Sequence, residues 1–309
     1  MYSRDETVAA VSAFYQQIIK HPYLDNSALI VPPASGWDSL AIDGLKSEGK
    51  TDTVIDLLRH LPILRGEKPH EDILVYYETL AICYAGAEEG SCTWMDQNNP
   101  LPGHCVYLTC NLDREGYSLI MDTERGTITA YSIMEYSVRE SFEVMESIPQ
   151  DEKWRCHLTL PVTDFFGMWT RHYEKLVNTL TSNSLGGPTN GRFWTRTNNY
   201  LEDEKFANQS LSAWHPDVSD LEPYMAATKL FTAFKTIYNT YLEFGWPANF
   251  DKDGCRERIL RLSRKEDRRM HRWLDGGDPT PRDEDEEPPS KIRKATGGVP
   301  PRKPKKGVT

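Results

Sequence analysis

Residues 117–132 read YSLIMDTERGTITAYS. Two β-branched, apolar runs flank DTERG, and that pattern admits little besides an antiparallel hairpin. Alternation puts Tyr117, Leu119 and Met121 on one face and Ser118, Ile120 and Asp122 on the other. Gly126 suits the left-handed position that closes a short hairpin loop. Asp122 suits the start of the turn, where its carboxylate can accept backbone N–H groups two residues on. HCVYLTCN at 104–111 adds a third strand, so a small antiparallel meander is predicted near 104–132. Turn chemistry accounts for Asp122 and Glu124 without further work. A carboxylate pair for metal or acid–base chemistry needs convergent groups, and the neighbouring sequence offers none.

Around the meander the periodicity is helical. Val8, Val11, Phe14, Tyr15, Ile18 and Ile19 share one face of a helix over 6–19, stopped by Pro22. TDTVIDLLRHLP has a Thr51 or Asp52 cap, a stripe of Val54, Ile55, Leu57, Leu58 and Leu61, and Pro62 as its end. The stretch 31–50 reads as loop, and 72–84 as strand or helix. From 161 to 180, Phe165, Met168, Trp169, His172, Leu176 and Leu180 form a continuous helical face. SNSLGGPTNGR at 182–192 reads as a flexible connection. Two more helices are predicted, over 220–244 and 253–274, the second strongly basic.

The composition changes after Leu274. Residues 275–309 hold no aromatic residue, two valines and one isoleucine. Such a segment cannot bury enough apolar area to offset its ordering entropy, so it is expected to be disordered. It carries eight Lys/Arg against seven Asp/Glu, which leaves residues 1–274 with 28 against 39. The acidic character therefore belongs to the part expected to fold. This yields an α+β scheme: a core over 1–180, a flexible connection at 181–199, a helical region at 200–274 packed on the core, and an acidic-then-basic tail at 275–309.

Each candidate site has a plain structural explanation beside it. Cys83, Cys92, Cys105 and Cys110 with His104 lack the close ligand pairs of zinc sites, and neighbours on a strand point to opposite faces. Buried free thiols are the expectation. No serine sits in a Gly-x-Ser-x-Gly setting. SLGGPTNGR is followed by Phe193 and Trp194 rather than Lys–Ser/Thr, so it does not read as a phosphate cradle. No catalytic, cofactor or metal residue is assigned, and no cofactor is expected. The basic helix, with Arg258, Arg261, Lys265, Arg268 and Arg272, could contact an anion or an acidic partner, or be balanced by the protein's own carboxylates. In the tail, Arg302, Lys303, Lys305 and Lys306 within PPRKPKKG look like a nuclear-import signal. The N-terminus is a poor signal peptide, and no run approaches the roughly 18 uncharged apolar residues of a membrane span. A soluble, cytoplasmic or nuclear protein with no membrane partner is expected.

LLRHLP at 57–62, the 117–131 hairpin and YLEFGWPANFDKDGCRERI at 241–259 resemble a family of uncharacterised fungal proteins, and through them the SUKH superfamily. The resemblance implies an α+β domain whose curved antiparallel sheet binds protein partners and which has no active site. The leading expectation is thus a non-catalytic interaction or regulatory protein, bound through its sheet, with the basic helix and tail as accessory contacts and its partner unidentified. The alternative is a small-molecule-binding protein or enzyme with a pocket lined by Trp169, Trp194 and Trp246 on aromatic helices. A weaker one is nucleic-acid association through the basic C-terminus.

Overall fold

A computed structural model of the chain describes residues 2–66, 71–85, 100–183, 191–196, 207–212 and 229–274, side chains at 229–232, 266–267 and 269–274 excepted. The helices are α1 (Arg4–Ile18), α2 (Ile42–Ser47), α3 (Asp52–His60), α4 (Phe142–Ser147), α5 (Val162–Glu174), α6 (Lys229–Glu243) and α7 (Lys252–Leu274). The strands are β1 (Leu29–Ile30), β2 (Ile63–Leu64), β3 (Leu74–Tyr76), β4 (Thr79–Ala81), β5 (Cys105–Tyr107), β6 (Thr109–Asn111), β7 (Ser118–Asp122), β8 (Thr127–Tyr131), β9 (Thr159–Pro161), β10 (Asn178–Ser182) and β11 (Gly191–Thr195). Every named pairing is antiparallel. The chain is α+β, as the sequence predicts. It divides into two compact units, Met1–Leu262 and Ser263–Thr309.

The centre of the first unit is a four-stranded sheet in the order β5-β7-β8-β9. Its middle hairpin is the one expected, and its register sets Asp122 opposite Thr127 and Leu119 opposite Ala130. Gly126 is left-handed, with φ 70°. One face of the sheet, with Val106, Leu119, Met121, Ile128 and Ala130, belongs to the main core built with α1, α3 and α5. The other face, with Cys105, Tyr107 and Ile120, packs on Leu101 and Trp154. All five residues of β7 are buried. Both faces are therefore covered by this chain itself, and the sheet is not the open binding surface that the sequence led us to expect.

HCVYLTCN is not one strand. It bends at Leu108, so β5 pairs with β7 while β6 pairs with β4 in a separate β3-β4-β6 sheet. The ambiguous 72–84 stretch is a β-hairpin, with left-handed Glu78 (φ 45°) in its turn. Within the 31–50 stretch read as loop, α2 forms over six residues.

The helix predicted over 161–180 ends at Glu174. Leu176 is left-handed, with φ 52°. The Val177 N–H donates to His172 O and the Leu176 N–H to Tyr173 O, the pair of bonds that terminates helices in a Schellman motif. Leu180 consequently lies on β10, which pairs with β11 from Asn178↔Thr195 to Ser182↔Gly191. Part of the span read as a flexible connection, 181–199, is thus strand; 184–190 and 197–199 lie outside the described residues.

Aromatic packing holds α1 against α5: Phe14 lies 5.5 Å from Phe166 and from Trp169, and Trp169 stacks on Tyr76 at 4.6 Å. A second cluster joins Leu176 and Trp194 to α6 and α7 through Phe234, Ile237, Tyr238, Tyr241, Cys255 and Ile259. No described helix is long and apolar enough to cross a membrane. In the second unit, only 263–274, the end of α7, is described. The tail expected to be disordered lies outside the described residues, and Arg302, Lys303, Lys305 and Lys306 with it.

Candidate functional site

At the tip of the β7–β8 hairpin the two oxygens of Asp122 face different surroundings. Oδ1 accepts the backbone N–H groups of Glu124 and Arg125, both at 2.9 Å. That is the turn role anticipated from the sequence. Oδ2 lies 3.6 Å from Arg155 Nη1, 3.8 Å from His104 Nε2 and 3.9 Å from Arg125 Nε. Asp122 is 2% exposed, while Glu124, 3.5 Å from His104 Nδ1, has a side chain 71% exposed. Only one of the two carboxylates is turned inward.

His104, Cys105 and Asp122 offer donor atoms within 4.8 Å of one another, a set that could hold a metal ion. Sequence reasoning separated His104 from Cys105 because neighbours on a strand diverge. His104 in fact lies in the turn before β5, so strand alternation does not apply to it. The surroundings favour an ion-pair cluster over a metal centre. Two guanidinium groups already stand within 4 Å of the carboxylate oxygen a cation would need, and bringing a dication there sets like charges against each other. Burial, followed by the Asp122 charge, pushes the Cys105 thiol up to about 12, so it is a poor source of thiolate. The arrangement clamps the hairpin tip to the 3-10 turn Gln150–Cys156, which carries Arg155.

Ser137 and His157 are a second buried polar pair. The Ser137 hydroxyl donates to Ala130 O, so the 2.8 Å contact to His157 Nδ1 requires that nitrogen to carry the proton and donate. Burial, with Arg139 adding to it, pushes the His157 imidazole down to about 4. With its only hydrogen committed to a backbone carbonyl, Ser137 is an anchor. The Leu158 N–H donates to Ser137 O at 2.7 Å and the Arg139 N–H to Cys156 O at 2.8 Å. Residues 137–139 are thereby pinned to the main body.

What this anchor presents is the most unusual surface among the described residues. Ile133, Met134 and Tyr136 precede it, Phe142 and Val144 follow it, and all five are exposed. Phe142 is 68% exposed and Val144 41%. Both lie on α4, a six-residue helix in which no residue is buried. Its local support is the Ser141 cap, whose hydroxyl accepts the Val144 N–H. A helix this short is marginal by itself and normally depends on tertiary packing of an apolar face. Exposed Tyr77, whose hydroxyl donates to Glu115, has Tyr136 among the groups acting on its phenol. Sequence reading missed this surface. Its signal was SFEVME, a Ser cap ahead of apolar residues at helical spacing.

The residues singled out on the basic helix all lie on α7, at one-face spacing. Arg258 is exposed and Arg261 is half-buried. Lys265 and Arg268, both partly buried, and Arg272 belong to the second unit. At the start of α7, Arg256 pairs with Asp25 at 2.7 Å, and Lys252 donates to Ile19 O and Asn26 Oδ1. Here the helix is balanced by the protein's own groups.

The three tryptophans do not converge on a cavity. Trp169 is in the main core, and Trp194 and Trp246 are in the second cluster, their indoles bonded to Thr181 Oγ1 and Glu174 O. A cleft of about 420 Å³ is lined instead by Asp25, Ser27, Arg65, Glu71, Ser182 and Arg256 among others, with its two acids and two arginines in balance. No known protein family, curated protein or solved structure matches the chain.

Proposed function

We propose that this chain is a non-catalytic interaction protein whose partner docks on the surface formed by 133–136 and 142–145. The observation that carries the reading is α4, a capped helix with no buried residue that displays Phe142 and Val144. Five large apolar residues are exposed within 133–144, and a concentration of exposed apolar surface marks binding sites in soluble proteins. The backbone bonds that fix 137–139 add preorganisation, which lowers the entropic cost of association. The docking surface of this reading is a connecting segment and not the sheet.

The test is retention of a partner from native cell extract by the purified chain and by Phe142→Ser. Phe142 is 68% exposed, so the substitution should change stability by no more than about 0.5 kcal/mol. The expected result is a partner held by the wild-type chain and lost from the variant at unchanged Tm. Retention of the same proteins by both would overturn the reading.

A further inference from the structure

We infer that the partner presents a basic amphipathic segment: an apolar stripe that covers Phe142 and Val144, flanked by Lys/Arg that face the surrounding carboxylates. This rests on the interaction reading above and adds the chemistry of the partner. Across 133–152 the sequence holds six Asp/Glu and a single basic residue, Arg139. All six acids are exposed. Glu146 is paired with Lys153 at 3.0 Å and Glu152 with Arg155 at 3.6 Å. Glu135, Glu140, Glu143 and Asp151 have no salt bridge among the described residues. The Glu143 carboxylate is held below its ordinary range by its own backbone N–H and then by Ser141, so it stays charged. Arg139 spends one guanidinium nitrogen on Val138 O.

The segment that carries the exposed apolar residues therefore has an excess of negative charge. An acidic partner would set carboxylate against carboxylate, and a neutral apolar partner would leave that charge uncompensated. A basic amphipathic segment satisfies both features. Such charges set partner choice and association rate more than raw affinity. They act over a Debye length of about 10 Å at 0.1 M salt, so binding should weaken as salt rises.

Three synthetic probes separate the contributions. One is a Leu/Lys peptide with leucines at helical i, i+3, i+4, i+7 spacing. The second has the same composition in scrambled order, and the third replaces Lys by Glu. Anisotropy of the labelled peptides is read against the full chain at several salt concentrations. The expected result is preference for the ordered Leu/Lys peptide over both others. Phe142→Ser should weaken it about tenfold, and the Glu135→Gln, Glu140→Gln double variant should flatten its salt dependence. A peptide of residues 252–274, itself basic and partly apolar, serves as a fourth probe. Equal Phe142-dependent binding of that peptide supports the same chemistry, with a second copy of the chain as its source.

Equal binding of the Leu/Glu peptide, equal binding of the scrambled peptide, or indifference to Phe142→Ser would each overturn the inference. So would failure of every probe to bind. None of these outcomes touches the interaction reading, which stands or falls on Phe142-dependent retention from extract.

Discussion

The two oxygens of Asp122 carry two separate structural tasks, and substitution can divide them. Asp122→Asn keeps an oxygen for the N–H groups of Glu124 and Arg125 but removes the charge that faces Arg155, His104 and Arg125. Asp122→Ala removes both. The alanine variant should lose about 2–4 kcal/mol in urea unfolding, because a turn is unpinned and the partly buried Arg155 loses its counter-charge. The asparagine variant should lose roughly half as much. If both unfold like the wild type, the cluster is not a clamp. The turn task could be read from DTERG because its chemistry is local. The ion-pair task could not, since Arg155 is distant in sequence and reaches Asp122 only through the fold. His104 was misjudged because alternation was applied to a residue that precedes the strand.

At the scale of elements, the sequence declares a helix or a strand where the stop signal is chemical. It fails to do so where the stop is tertiary. The α3 helix ends at His60, just ahead of Pro62, and the β7–β8 loop closes on Gly126. The 162–174 helix instead terminates through a left-handed leucine, a choice nothing in the local sequence advertises because C′ positions usually hold glycine. Leu176 is tolerated there because its side chain is fully buried in the second cluster. Leu176→Gly makes the two effects compete. Glycine relieves backbone strain of roughly 1–2 kcal/mol, while deletion of a buried leucine side chain costs about 2–5 kcal/mol. Net destabilisation of about 1–3 kcal/mol is expected in urea unfolding. A stabilised variant would mean that burial of Leu176 contributes little. The bend at Leu108 was hidden for a related reason: HCVYLTCN alternates well enough for one strand, and only its partners β7 and β4, in different sheets, divide it. The exposure of α4 was equally illegible, since a cap and apolar spacing predict a helix without saying whether anything covers it.

Among the described residues, two of the buried imidazoles are held neutral by their surroundings, and this shapes how stability responds to acid. His21 is fully buried beside Tyr173, Tyr241 and Trp246. The Tyr241 hydroxyl donates to Leu180 O, so His21 Nδ1 carries the proton and donates to Tyr241. Burial, with smaller contributions from Lys252 and Lys20, pushes His21 down to about 3. His157 is pushed down to about 4. Unfolded, both imidazoles titrate near 6.5. Between 6.5 and the folded values the unfolded chain binds more protons, so stability is full above about pH 6.5 and falls as the pH drops. Each histidine adds a slope of about 1.4 kcal/mol per pH unit within its window. Asp25, held low by Arg256, adds to the loss at the acid end, because its folded value is also depressed. Urea unfolding free energies measured from pH 7.5 to 4.5 should therefore fall steeply below pH 6.5. In His157→Asn, where an amide N–H can replace the bond to Ser137 without titrating, the slope between pH 6 and 5 should drop by about half. An unchanged slope in that variant would mean that His157 protonates readily in the folded protein. The new proton would then sit on Nε2, with the Nδ1–H bond to Ser137 and the 137–139 anchor kept.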